Sequence, residues 1–69
     1  MIIFYEYHAK QRIKERKIEI VWIMETIRYP DKIIKFGNKY INTKKINGHT
    51  LEIVYFKQKY IKIKTIYWI

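Results

Sequence analysis

The sequence predicts a single α+β domain in which two N-terminal helices pack on an antiparallel β-meander of three to four strands. Three observations predict it. Sixty-nine residues make one domain and no more. Between His8 and Tyr29 apolar residues recur at helical spacing and stop at the one proline, Pro30. Beyond Pro30 the pattern turns to strands, broken at Gly37-Asn38 and Asn47-Gly48, two-residue signals for hairpins.

The elements follow in order. Ile2-Ile3-Phe4-Tyr5 is β-prone but short, and suits an edge or lead-in strand. His8 to Lys17 is rich in good helix formers, and Ala9 with Ile13 gives a narrow apolar stripe. A second helix runs from about Glu19 to Tyr29. Ile20, Met24 and Ile27 lie on one side of it, widened by Val21 and Ile23, while Glu19, Glu25 and Arg28 face away. Pro30 ends it, because the residue before a proline is pushed out of the helical region. Ile33–Phe36 and Lys39–Ile46 form a hairpin about Gly37-Asn38, and Asn47-Gly48 turns the chain into Thr50–Phe56. That strand is apolar on both faces, as a central strand is. Ile61 to Thr65 alternates, with one face for the core and one carrying a basic row. No internal repeat or linker interrupts the chain.

A domain this small buries only about 60% of its unfolded surface, so a self-associating face such as a homodimer would add stability. The chain has no cysteine, which excludes disulfides and thiolate metal sites and suits a reducing cytosol. At 49% hydrophobic residues it is too apolar for disorder. Its longest apolar run, Ile20 to Met24, falls far short of the roughly 20 residues that span a bilayer, and Met1 to Tyr5 has no signal-peptide pattern. The expectation is a cytoplasmic protein with no membrane partner. Fifteen Lys and Arg against six Asp and Glu give a net charge of +9, which attracts polyanions: RNA or other nucleic acid, or an acidic protein.

Two constellations could carry chemistry. His8, Arg12 and Arg16 stand four residues apart and share a helix face, flanked by Lys10, Lys14 and Lys17. Guanidinium groups grip phosphate with paired hydrogen bonds, and an imidazole moves a proton near neutral pH. The bland alternative is a solvated face holding ion pairs with Glu6, Glu15 or Glu19. The second constellation is the sheet. Lys57, Lys59, Lys62 and Lys64 cluster at the last hairpin, with Lys39, Lys44 and Lys45 on a neighbouring strand. Tyr40, Tyr55, Tyr60, Tyr67 and Trp68 are interleaved, so charge could track a backbone while rings stack on bases. Its alternative is core aromatics with lysines protecting an edge strand. No cluster suits a metal, no glycine-rich loop suits a nucleotide cofactor, and neither Ser nor Cys is present as a nucleophile. His49 reads as an exposed strand-start residue. The chemistry left open is metal-independent RNA cleavage, in which the substrate's 2′-OH attacks.

The ordered set His8-Ala9, Arg12, Arg16-x-Ile18, Val21, Ile27, Pro30, Gly48-x-x-Leu51, Val54-Tyr55 and Ile63-x-Thr65-x-Tyr67 resembles the family catalogued as domain of unknown function 4258, across residues 3 to 67. That family is similar to the BrnT- and RelE-like toxins. The resemblance implies a toxin-like α+β scaffold, mRNA cleavage and neutralisation by an acidic antitoxin. It implies catalytic roles for His8, Arg12 and Arg16, and for Tyr55, Thr65 and Tyr67. Tyr7 stands where a Ser or Thr cap is expected, and little chain follows Tyr67 for a catalytic tail. A non-catalytic nucleic-acid-binding module and a basic protein docking an acidic partner are the competing functions.

Overall fold

The computed structural model describes residues 2–69. Strand β1 (Ile3–Tyr5) leads into helices α1 (Tyr7–Glu15) and α2 (Ile20–Arg28), and strands β2 (Lys32–Phe36), β3 (Lys39–Ile46), β4 (His49–Lys57) and β5 (Ile61–Trp68) follow as a meander. The sheet order is β1-β5-β4-β3-β2. The α+β class therefore holds, and Ile3–Tyr5 forms the expected short edge strand ahead of the helices, but the sheet is five-stranded and mixed, not a purely antiparallel one of three to four strands. The difference lies in β1. It pairs in parallel with β5, Ile3 opposite Ile61 and Tyr5 opposite Ile63, with Ile61 N–H donating to the Ile2 carbonyl at 2.9 Å. The β-prone residues of this strand are legible locally, but its parallel partner, nearly sixty residues away, is not.

Helix α1 ends at Glu15, short of the expected Lys17. Lys17 adopts φ 51°, the Ile18 N–H reaches the Ile13 carbonyl at 3.0 Å, and the Lys17 N–H reaches that of Lys14. This is a Schellman stop, closed by the apolar pair Ile13 and Ile18. In α2 the buried side is turned from the expected one. Ile23 and Thr26 are fully buried and Trp22 and Ile27 half-buried, whereas Ile20 and Val21 are more than half exposed. Two overlapping apolar stripes compete on this helix, and the sheet selects between them. Asn42, buried on β3, donates through Nδ2 to the Thr26 carbonyl at 3.1 Å, and Trp22 packs edge-on against Trp68 of β5 at 5.7 Å. Lys44 Nζ donates to the Tyr29 carbonyl at 2.8 Å, placing a cation at the helix C-terminus.

The hairpins form where expected. Asn47 and Gly48 both have positive φ, 50° and 85°, as a type I′ turn requires. At the other turn only Gly37 does, at 58°. The core lies between the helix pair and one face of the sheet: Ala9, Ile18 and Ile23 from the helical half meet Ile46, Leu51, Ile53, Tyr55, Ile61, Ile63 and Ile66. Each such aliphatic side chain contributes about 1.5–3 kcal/mol on burial. Strand β5 supplies its share only through a bulge. Tyr55 pairs with Ile63 but Val54 pairs with Thr65, so Lys64 is an extra residue. The bulge resets the alternation, so that Ile61, Ile63, Ile66 and Trp68 all face the helices.

Candidate functional site

Both helices pack on one face of the sheet, so among the described residues nothing covers the other. Pairing and pleat determine what stands there, since side chains alternate and partners across strands share a face. Phe36 of β2 is opposite Lys39, Lys39 opposite Phe56, Phe56 opposite Lys62, and Lys62 opposite Phe4 of β1. The row Phe36–Lys39–Phe56–Lys62–Phe4 thus crosses all five strands with rings and ammonium groups alternating. A second row, Ile34–Ile41–Val54–Thr65, runs beside it. Phe36 and Phe4 are 65% and 54% exposed, unusual for phenylalanine.

At the β1 side the row is built into relief. Tyr60 packs edge-on against Phe4 at 4.8 Å. Phe56, Gln58, Tyr60 and Lys62 line an open hollow of about 210 Å³, and Phe4, Tyr5, Glu6, Tyr60 and Lys62 line one of about 360 Å³. Tyr60 and Lys62 border both. Glu6 holds Lys62 at 3.3 Å and Lys64 at 3.1 Å, while Lys64 also lies 5.7 Å over the Phe56 ring. The hydrogen bond from Lys64, joined by Lys62, draws the Glu6 carboxyl below its ordinary pKa. Further along, the Tyr67 hydroxyl donates to the Glu52 carboxylate across the β4–β5 pair. Flat rings, hollows open on one side and ammonium groups between them suit a flexible polyanion bearing planar groups.

The residues expected to act fall on separate surfaces. His8 and Arg12 are exposed on α1, Arg16 caps its C-terminus, and Arg12 reaches Glu15 at 3.9 Å. At about 100° per residue, Lys10 and Lys14 lie on the opposite flank of the Ala9–Ile13 stripe from His8 and Arg12. Lys17 forms the helix stop. Tyr55 is core: it is 4% exposed, stacks on Tyr40 at 5.2 Å, and burial raises its pKa. Thr65 and Tyr67 are on the open face with Lys62 and Lys64, so the six candidates do not converge. Lys44 is taken up by Tyr29 and Asp31 on the helix side, whereas Lys45 stands on the open face beside Thr50. Lys57 and Lys59 are exposed around the β4–β5 turn. His49 is exposed at the start of β4, its ring 6.2 Å from Trp68. Tyr40 and Trp68, expected among the stacking rings, also face the helices. Composition and spacing did not single out Phe4, Phe36 and Phe56. The signal that could have found them is strand parity: Phe36 and Lys39 close the Gly37-Asn38 hairpin and Phe56 lies opposite Lys39.

A sequence model of the family described as "Domain of unknown function (DUF4258)" matches residues 5–68, and the chain belongs to that family. No curated protein and no solved structure matches it. Among the described residues no helix is long and apolar enough to cross a membrane.

Proposed function

We propose that this DUF4258 domain binds single-stranded RNA along the open face of its sheet. The observation that carries the reading is the five-strand row of alternating phenylalanine and lysine. Stacking of a base on an aromatic ring contributes about 1–3 kcal/mol, and lysines between the rings meet the phosphates. Binding of a short labelled RNA, followed by fluorescence anisotropy, tests it. Phe56→Ala is expected to weaken binding about tenfold or more, and Lys62→Glu further, because it places a carboxylate next to Glu6. Unchanged affinity in both would remove the face from the function.

A toxin-like, metal-independent ribonuclease, related in kind to BrnT- and RelE-like proteins and held by an acidic antitoxin, is the second reading. The Tyr67–Glu52 hydrogen bond on the same basic face favours it, because such cleavage needs groups that take and give a proton. In this reading His8, Arg12 and Arg16, across the core from Tyr67, are limited to phosphates away from the scissile one. The expected result is that end-labelled RNA in EDTA is cut by the wild type and left intact by Tyr67→Phe. Cutting that survives Tyr67→Phe and disappears in Arg12→Ala would move the chemistry to α1.

A further inference from the structure

Strand β2 is one of the two edges of the sheet, and all five of its residues are exposed, Ile33 at 53%, Ile34 at 38% and Phe36 at 65%. Among the described residues no element pairs with its free side, and the helices pack over β3, β4 and β5 instead. Exposed edges usually carry charges that repel a second strand. Here Lys32 and Lys35 do so only in some registers. Two copies of one strand can pair antiparallel about a two-fold axis only when a residue faces its own copy, because a one-residue slip turns the pairing groups inward. Full overlap of Lys32–Phe36 places Ile34 on that axis. Lys32 then meets Phe36 of the second copy and Lys35 meets Ile33, so neither lysine meets a lysine. The next permitted register centres on Ile33 and sets Lys35 against Asp31, whose N–H is already given to the Thr43 carbonyl at 2.8 Å.

We infer that β2 is a homodimer interface, pairing antiparallel with β2 of a second copy about an axis through Ile34. The strand avoids like-charge pairing with itself: each lysine stem lies beside an apolar side chain of the second copy, and Ile34 covers its own copy on the axis. An isologous contact of this kind uses the same patch twice and closes at two copies, which an edge open to unlimited addition would not. Five residues make a small interface, so the dimer forms reversibly with concentration. Net charges of +9 on each copy oppose it, so added salt strengthens it. The inference stands apart from the RNA-binding reading, because the dimer needs no nucleic acid.

The test uses the absence of native cysteine. Facing Cα atoms in an antiparallel pair lie about 4.5–5.5 Å apart, within disulfide range, whereas residues displaced by two positions exceed it. Ile34→Cys is expected to form a covalent dimer under mild oxidation at least ten times faster than Ile33→Cys. Faster cross-linking at Ile33, or equal slow rates at both, would overturn the axis. Sedimentation equilibrium of the wild type should show a dimer fraction that rises with concentration and with salt. Ile34→Lys, which sets lysine against lysine on the axis, should raise the dissociation constant at least tenfold with an unchanged circular dichroism spectrum. A wild type that is monomeric at every concentration and salt would overturn the proposal.

Discussion

Lys17 holds φ 51°, a left-handed conformation that crowds the Cβ of any L-residue at a cost of about 1–2 kcal/mol. The Schellman stop of α1 needs that conformation, and glycine supplies it freely. Lys17→Gly is therefore expected to stabilise the domain by about 0.5–1 kcal/mol, or about 4 °C in Tm, in thermal unfolding followed by circular dichroism. A loss of stability would show that the lysine side chain holds the turn. Glu6 offers a test of the opposite kind. Hydrogen bonding to Lys64 and Lys62 lowers its pKa in the folded state. A depressed carboxyl contributes stability above its unfolded pKa, and that contribution disappears as the pH falls through the folded value. Wild type should thus exceed Glu6→Gln in urea unfolding at pH 7, and the two should converge below about pH 4, the ordinary glutamate range. The carboxylate is partly exposed and both lysines are nearly half exposed, so the difference is small. The same substitution frees two ammonium groups on the open face and should tighten RNA binding.

Strand β5 shows how an element can be planned around an irregularity. Its core residues change parity between Ile63 and Ile66, and the unpaired Lys64 accounts for the change. Deleting Lys64 removes the bulge and leaves every remaining side chain on its present face, so the variant should fold with a loss of about 1 kcal/mol or less. Deleting Lys62 turns an isoleucine out of the core and should cost about 2–3 kcal/mol. Urea unfolding of both variants separates the cases, and equal losses would refute this account of the bulge. The two hairpins were visible in the sequence, announced chemically by Gly37 and the Asn47-Gly48 pair. The parity change was not read there, because Ile61 to Thr65 alternates and only the pairing with β4 reveals the extra residue. The face of α2 was not visible, because Ile20, Val21, Ile23 and Met24 satisfy helical spacing on either side. Asn42 and Trp68, remote in the chain, decide between them. Of the open face, Lys62 and Lys64 were legible from local alternation. Phe4, Phe36 and Phe56 were not, because they meet only through the registers of four strand pairings.

At the scale of the whole molecule, a charge of +9 is divided between two surfaces with the core between them. One is the outside of α1, with Lys10, Arg12, Lys14 and Arg16 exposed. The other is the open face, where Lys39, Lys62 and Lys64 stand among the phenylalanines and Lys45 lies at the far end of β3. Either would attract RNA at long range, so affinity at one salt concentration does not distinguish them. Salt dependence does. Each phosphate held by a lysine releases condensed counterions, and for single strands the slope of log K against log salt falls by about 0.7 for each phosphate no longer neutralised. Lys39→Gln with Lys62→Gln should reduce the slope by about 1.4, since two phosphates then keep their counterions. Lys10→Gln with Lys14→Gln should leave it unchanged, although net charge changes equally in both pairs. Binding titrations between about 50 and 300 mM salt measure this directly. Equal slopes in the two variants would mean that RNA responds to overall charge and not to the ladder of rings and ammonium groups. A reduction confined to the α1 variant would place the phosphate track on the helix, where His8, Arg12 and Arg16 stand.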